Sequence, residues 1–130
     1  MSKRCYLSGP MRGIDEYNYP EFNRVAATLR SAGWTVFNPA EMDADADTEN
    51  YAKHSLEQQE EADTAENVRR FARRDLEVLL SLRPENGDVV FVLPGADDSA
   101  GAQAEIAVAR WLKLLVTAVD PDSAPTSMSV

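Results

Sequence analysis

The chain has 130 residues, of which 44% are hydrophobic and 27% charged, and these values are typical of one globular domain of ordinary size. The formal net charge of -9 argues against binding of polymeric nucleic acid, although a small anionic ligand needs only local positive potential. No apolar run is long enough to cross a membrane, and the single cysteine, Cys5, excludes an internal disulfide. We therefore expect a cytoplasmic protein without membrane contact.

The first part of the chain predicts two strands and one helix. Residues 4–8 are mostly apolar and end in a Ser-Gly-Pro turn, which is typical of a short buried strand. Residues 20–32 carry apolar side chains at helical spacing, and Gly33 follows as a stop, so this segment predicts a helix. The apolar stripe of the helix consists of Phe22, Val25, Ala26 and Leu29. Residues 34–37 predict the second strand.

An acidic stretch follows, rich in alanine and poor in large apolar residues, over residues 40–63. It predicts a loop with irregular helix, long enough to cover a site. Asp43, Asp45 and Asp47 begin like a calcium-binding loop, but Thr48 replaces the glycine of the sharp turn and the final glutamate ligand is missing. We therefore expect these aspartates to lie in a solvated loop, and we expect no metal site.

The second part of the chain predicts two helices and two strands. Residues 65–82 have helical periodicity, residues 88–93 form an uninterrupted apolar strand, and residues 94–100 form a turn. A helix over 101–113 and a last strand over 114–119 complete the pattern. The apolar stripe of the first of these helices consists of Val68, Phe71, Ala72, Leu76, Leu79 and Leu82.

Strands that alternate with helices predict a parallel sheet between two helical layers. We therefore expect a single small doubly wound α/β domain over residues 1–119, with a flexible C-terminal tail over residues 120–130. In such folds ligands bind beyond the carboxyl ends of the strands. The candidate segments are residues 8–19, the residues from Asn38 onward, and residues 94–100.

Asp75 shares one helix face with apolar residues, where a carboxylate is costly unless it is paired, hydrogen-bonded or used in chemistry. It follows a basic cluster that we predict to be a solvated helix face paired with neighbouring acidic residues, and that consists of Arg69, Arg70, Arg73 and Arg74. Asp75 is therefore either a functional carboxylate or a residue at the stripe's edge that bonds Arg74 or a backbone amide. Spacing does not separate the two.

Glu105 is a second candidate carboxylate, near the start of the helix over 101–113. It shares an inward face with Ala102, Ala109 and Leu112. The positive end of a helix favours an ionised carboxylate and makes it a competent nucleophile or base, whereas the alternative is a glutamate that only complements the helix dipole. Paired carboxylates such as Asp75 and Glu105 are typical of glycosidic-bond cleavage. Asp97 and Asp98 offer a third acid, although such residues more often form a turn.

Four motifs in order resemble the nucleoside 2-deoxyribosyltransferase superfamily. They are YLSGPMRG, FNPAE, RRDLEVL and DDSAGAQAEIAVA, and the resemblance runs from Tyr6 to about Val119. The chain is especially similar to short phage and bacterial members, and also to deoxynucleoside 5′-monophosphate N-hydrolases. The resemblance implies that Glu105 attacks the anomeric carbon, that Asp75 binds a sugar hydroxyl or assists the leaving base, and that Tyr6 positions the nucleophile.

The same resemblance assigns substrate contacts. It implies that Arg12 and Ser99 bind the 5′-phosphate, as in the monophosphate hydrolases. The other positions that it places against the substrate are Ser8, Gly9, Gly13, Asp97, Asp98 and Gly101. Pro10 departs from the pattern, because the hydrolases tend to have a serine there. The resemblance also implies a homodimer or a higher homo-oligomer.

These observations lead us to expect an N-glycosidase that releases the base from a 2′-deoxynucleoside 5′-monophosphate, without a cofactor. One alternative is a nucleoside 2-deoxyribosyltransferase that exchanges bases on deoxynucleosides. Another alternative is a non-catalytic protein that binds or sequesters a nucleotide. The expected partner in each case is a small nucleoside or nucleotide.

Overall fold

Four short strands form the sheet of the computed structural model, which describes residues 3–45 and 55–120. The strands are β1 (Arg4–Ser8), β2 (Thr35–Phe37), β3 (Val89–Val92) and β4 (Leu115–Ala118). All neighbouring strands are parallel, and their order is β2-β1-β3-β4. The fold is the predicted α/β architecture, a small parallel sheet of the doubly wound type.

Helices connect these strands in the described parts of the chain. The α-helices are α1 (Tyr19–Ser31), α2 (Pro39–Asp45), α3 (Leu56–Ala62), α4 (Ala65–Ser81) and α5 (Ala100–Trp111). Short 3-10 helices cover Asp15–Asn18, Pro84–Asn86 and Ala96–Asp98. Within the same ranges, none of the helices combines the length and the apolar character that a membrane crossing requires.

The two faces of β1 pack into two different cores. Cys5 and Leu7 lie in the core that contains Phe22 of α1, whereas Tyr6 packs with Leu79 of α4 and Ala109 of α5. Side chains alternate along a strand, so the side chain after Leu7 returns to the face of α4 and α5. The carboxyl end of β1 therefore presents polar side chains to these two helices.

Side-chain caps set where α4 and α5 begin. The hydroxyl of Thr64 accepts a hydrogen bond from the Asn67 amide at 3.2 Å, and the hydroxyl of Ser99 accepts one from the Ala102 amide at 3.2 Å. Such caps satisfy amides that have no partner inside the helix. They mark the first turns of the two helices that carry Asp75 and Glu105.

The apolar stripe predicted for α4 is buried only in its C-terminal half. Leu79 and Leu82 lie in the core with Tyr6, but Val68 is 37% exposed and Ala72 is also exposed. The apolar face that the sequence predicts for this helix is therefore covered only towards its C-terminal end. The reason is that helical spacing reports a shared face, whereas burial also requires a second apolar layer opposite that face.

The acidic stretch over 40–63 contains more regular structure than expected. Most of α2 and all of α3 lie within it, and α3 begins with a capping box in which Ser55 and Gln58 bond each other's backbone amides. Residues 46–54 of this stretch, with Asp47 of the apparent calcium loop, lie outside the described residues. The same holds for residues 121–130 of the expected tail.

Candidate active site

Glu105 accepts two hydrogen bonds from the end of β1. The Tyr6 hydroxyl donates to Oε2 at 2.7 Å, and the Ser8 hydroxyl donates to Oε1 at 2.7 Å. Both donors are buried, with 0% and 1% of their surfaces exposed, while Glu105 is only partly buried. Each carboxylate oxygen is thus oriented by a separate hydroxyl, which fixes the side chain at the edge of the sheet where parallel α/β proteins bind ligands.

The bond from Ser8 was missed, because the resemblance assigned this residue to the substrate. The signal that could have found it is the spacing of Tyr6 and Ser8. Residues two positions apart on a strand lie on one face, so a partner of the first is within reach of the second. Tyr6 lies where the resemblance implies, against Glu105.

The pKa of Glu105 is raised from 4.5 to about 7. Burial is the largest cause, and the negative charge of Asp75 is the second. The hydrogen bonds from Ser8 and Tyr6 lower the pKa, because they favour the ionised carboxylate, but they do not offset burial and repulsion. The group therefore changes its charge near neutral pH, which suits a carboxylate that acts on a substrate.

Asp75 lies beside Glu105 and is 9% exposed. Its carboxylate accepts a hydrogen bond from Arg74 Nε at 2.9 Å, and it is also a hydrogen-bonding neighbour of Glu105. Burial raises the pKa of Asp75, while the charge and hydrogen bond of Arg74 lower it. Asp75 thus bonds Arg74, as one alternative from the sequence stated. It also adjoins the other carboxylate, which is the position that the functional alternative requires.

Tyr6 remains a hydroxyl donor in this cluster. Its pKa is raised well above 10, chiefly by burial and then by the negative charges of Glu105 and Asp75. A phenolate would be repelled by both neighbours, so the hydroxyl keeps its proton.

Asp43 and Arg74 depart from what we expected of them. Asp43 is 6% exposed and not solvated; it accepts hydrogen bonds from Tyr19 Oη and from Arg74 Nη1, both at 2.5 Å. Arg74 is mostly buried between Asp43 and Asp75, although Arg69 and Arg73 of the same cluster are exposed as predicted. The Asp75 partner had been offered by the sequence, but the Asp43 partner had not, because Asp43 lies on α2, 31 positions away in the chain.

The described residues hold no group of three or more His, Cys, Asp or Glu side chains that could bind a metal ion. In the structure Asp43 instead bonds a tyrosine and an arginine.

The turn after β1 is anchored to α3. Gly13 has a φ of 81°, which favours glycine, and its amide donates to Gln59 Oε1 at 2.9 Å. Gln59 Nε2 donates to the Ile14 carbonyl at 2.8 Å, and Gln59 is only 3% exposed. Arg12 extends to the surface, where it forms an ion pair with Asp63 at 3.0 Å. The ion pair of Arg12 is thus with Asp63, not with the carboxylates around Glu105.

The remaining predicted substrate contacts line the start of α5 and the end of β1. Asp97 and Asp98 are exposed in a 3-10 turn, and Ser99 is the cap of α5. A side chain at Gly101 would meet nothing within 4 Å, so open space adjoins this position. At Gly9 a Cβ would lie 2.8 Å from the Leu93 Cβ, so this glycine permits the close packing of β1 against the segment after β3.

The comparisons with known proteins identify a family and no activity. No curated protein and no solved structure matches the chain. The family described as a domain of unknown function (DUF4406) matches residues 3–73. These residues include β1, the Arg12 turn and α1 to α3, and they end two positions before Asp75. Because the match covers more than half of the chain, the protein belongs to the DUF4406 family.

Proposed function

We propose that the protein cleaves the N-glycosidic bond of a 2′-deoxynucleoside 5′-monophosphate, with Glu105 as the nucleophile. The observation that carries this proposal is the Glu105 carboxylate, held by Tyr6 and Ser8 at 2.7 Å each, next to Asp75. A carboxylate pair at the ligand-binding edge of a parallel sheet is suited to an oxocarbenium-like transition state, because both negative charges stabilise developing positive charge on the sugar.

The reaction then has two steps. A Glu105 oxygen forms a bond to the anomeric carbon, while the bond from that carbon to the base nitrogen breaks and its electron pair leaves with the base, which takes up a proton. Water next attacks the anomeric carbon of the sugar–Glu105 ester, gives its hydroxide to the sugar, and releases the carboxylate and one proton. The sum is nucleotide plus water giving free base plus deoxyribose 5-phosphate.

The pKa of Glu105 fits this role. A nucleophile must be ionised, and a pKa of about 7 leaves about half of Glu105 ionised at neutral pH. The hydroxyls of Tyr6 and Ser8 hold both oxygens before the substrate binds, so little reorganisation is needed at the moment of attack.

Binding of the 5′-phosphate depends on Arg12. An arginine side chain at this strand end offers a planar, permanently charged fork for a phosphate, and Gly9 and Gly13 allow the backbone to come close to a ligand. Ser99 adds a hydroxyl at the start of α5, where the helix dipole favours negative charge.

The ion pair of Arg12 with Asp63 favours a second candidate. If the ion pair between Asp63 and Arg12 persists when the substrate binds, Arg12 cannot bind a phosphate, and a neutral deoxynucleoside is the better substrate. The protein is then a nucleoside 2-deoxyribosyltransferase, in which a second base instead of water accepts the sugar from Glu105.

Purified protein assayed on the four common deoxynucleosides and their 5′-monophosphates, with and without a second free base, tests both candidates. We expect base release from at least one monophosphate and loss of at least about 10⁴-fold in kcat/KM for Glu105→Ala. Equal turnover of nucleoside and monophosphate would favour the transferase. Unchanged activity of Glu105→Ala would refute the mechanism, and ligand-induced thermal stabilisation without base release would indicate a nucleotide-binding protein.

We also infer that the protein acts in the cytoplasm, where such substrates occur, and forms a homodimer or a higher oligomer. The edge strand β4 and the end of α5 expose apolar side chains, since Trp111 is 79% and Leu115 is 51% exposed. Burial of these side chains against a second copy would remove them from water. Analytical ultracentrifugation measures the state, and a monomer at all concentrations would contradict it.

A further inference from the structure

Arg74 lies between two carboxylates that belong to different helices. Its Nη1 donates to Asp43 Oδ1 of α2 at 2.5 Å, and its Nε donates to Asp75 Oδ1 of its own helix at 2.9 Å. Nη2 also lies 2.9 Å from Asp75 Oδ1. The exposed fractions of the side chains are 23% for Arg74, 8% for Asp43 and 12% for Asp75. This is an ion-pair network of the interior, which solvent screens far less than a surface pair.

The orientation of the Arg74 guanidinium is set on several sides. The Phe71 ring centroid lies 5.2 Å from its Cζ, in the range of a cation–π contact. Asp43 itself is held at its other oxygen by the Tyr19 hydroxyl, at 2.5 Å. A chain of contacts therefore runs from Tyr19 of α1 through Asp43 of α2 to Arg74 and Asp75 of α4.

This chain of contacts ends at the nucleophile. Asp75 is the hydrogen-bonding neighbour of Glu105 on α5, and Tyr6 of β1 also experiences the charge of Asp75. The charged and titratable groups that face Asp75 are thus Arg74, Glu105, Asp43 and Tyr6. Arg74 supplies the positive charge to this set.

We propose that Arg74, oriented by Asp43 and Tyr19, is a positioning residue that keeps Asp75 ionised and fixes its carboxylate beside Glu105. The inference rests on the proposed function for its catalytic meaning. An ionised Asp75 accepts a hydrogen bond from a sugar hydroxyl and does not deliver a proton to the leaving base. The network thereby assigns Asp75 to substrate binding, and it leaves Glu105 as the group of the pair that gains or loses a proton near neutral pH.

The physical reason is the balance of charge. With Arg74 present, one largely buried cation is paired with Asp43 and Asp75, and Asp75 in turn adjoins Glu105. Without it, buried carboxylates repel each other with no compensation, so one of them must take up a proton. The two carboxyl groups of the pair titrate together, so the quantities to measure are the two apparent pKa values of the pair.

The first test compares Arg74→Met with Arg73→Met. Both remove one positive charge from neighbouring positions of α4, but Arg73 is exposed whereas Arg74 is mostly buried. NMR titration of ¹³C-labelled side-chain carboxyls measures the two apparent pKa values of the pair, and the variants Asp75→Asn and Glu105→Gln assign the signals. We expect the lower apparent pKa to rise by at least about 1 in Arg74→Met and to stay within about 0.3 of wild type in Arg73→Met. Equal titrations in the two variants would overturn the proposal.

Arg74→Lys provides the second test, because it retains the charge and is the milder change if Arg74→Met does not fold. A lysine lacks the planar fork that reaches both carboxylates, but it keeps the charge. The lower apparent pKa of the pair should therefore rise by a smaller amount than in Arg74→Met. Activity on the substrate found for the wild type should fall by about 10-fold or more. If the two apparent pKa values in Arg74→Lys equalled those of the wild type, the planar guanidinium would not be needed, and the positioning role would be refuted.

The two readouts also separate the two proposals. The NMR titration needs no substrate, so it tests the placement of the charge even if no base release is found in the wild type. Absence of base release from every nucleoside and monophosphate would refute the proposed function alone. Unaltered titration of Arg74→Met with an active wild type would refute the positioning role alone.

Discussion

The carboxylates around Glu105 and the turn around Arg12 lie at the end of the same strand, but the protein holds them in different ways. Glu105 and Asp75 are fixed by side chains of β1 and α4, most of which are buried. Arg12 is 47% exposed, and its ion-pair partner Asp63 is 43% exposed. The first region is a preorganised and electrostatically costly interior site, whereas the second is a surface contact that a ligand can replace.

This difference separates chemistry from recognition. An exposed ion pair contributes only about 0–1 kcal/mol, so a phosphate with two negative charges can compete for Arg12. The carboxylates around Glu105 cannot exchange partners in this way. They are buried, so a loss of any partner would leave a desolvated charge without compensation. We therefore expect substitutions in the cluster to change stability and pH dependence, and substitutions at the turn to change the choice of substrate.

Among the variants that compare the two regions, Glu105→Gln should show the largest effect, which is a gain of stability. The raised pKa of Glu105 means that the folded state binds the proton of this side chain more tightly than the unfolded state does. The stability that this proton contributes is complete below about pH 4.5 and is lost as the pH rises through about 7. A neutral glutamine should raise the unfolding free energy by about 2–3 kcal/mol above about pH 7 and by almost nothing near about pH 4.

Denaturant unfolding across pH measures this difference. The matched control is Glu77→Gln on α4, because Glu77 is exposed. A similar, pH-independent change in both variants would mean that Glu105 carries no burial cost.

The second effect concerns the two hydroxyls that orient Glu105. Tyr6→Phe removes the donor to Glu105 Oε2, and a hydrogen bond to a charged group contributes about 1.5–3 kcal/mol, so kcat/KM should fall by about 10–100-fold. Loss of the donor also raises the pKa of Glu105, which moves the acidic limb of the kcat/KM profile to higher pH.

Ser8→Ala should act in the same direction, because Ser8 donates to the other oxygen at the same 2.7 Å. Steady-state rates over a pH series test both variants. An unshifted acidic limb in both would show that these hydroxyls do not tune Glu105.

The third effect tests recognition at the turn. Arg12→Ala should lower kcat/KM for the monophosphate by about 10-fold, the loss of one charge-assisted contact on an exposed side chain, and leave the free nucleoside unchanged. The control is Arg24→Ala, which removes another half-exposed arginine from a surface ion pair with Glu21. Equal losses on both substrates would place Arg12 in folding or positioning, not in phosphate binding.

The smallest effect should come from the partner of Arg12. Asp63→Asn leaves the guanidinium without a competing carboxylate, so KM for the monophosphate should fall by about 2–5-fold while kcat stays constant. Glu60→Gln, an exposed glutamate on α3, is the control for the change in net charge. An increase in KM would mean that Asp63 holds Arg12 in its working position.

The sequence predicted those parts of the protein that depend on local pattern. The apolar runs of β1 and β3, and the stripe of α1 from Phe22 to Leu29, lie in the core as expected. The position of Glu105 on the inward face of α5 was also foreseen, because helical spacing and small neighbours are visible in the chain.

The partners that come from distant segments were not foreseen. Asp43 and Arg74 are 31 positions apart, and the Gln59 bonds to Gly13 and Ile14 span 46 and 45 positions. The side chains of Asp43, Arg74 and Gln59 are polar, so composition alone places them in solvent, and only contacts with distant segments of the chain bury them. Tertiary contacts decide the fate of such residues, and no periodicity encodes them.

The place of β1 within the sheet has a consequence for local unfolding. Tyr6 pairs with both β2 and β3, but Ser8 pairs only with Val92 of β3. β2 is an edge strand of three residues, so it should open more easily than the interior strands. Because fraying of β2 leaves the ladder between β1 and β3 intact, both donors to Glu105 stay in register. Amide hydrogen exchange should therefore be slower along β1 than along β2, and the site can tolerate motion at that edge.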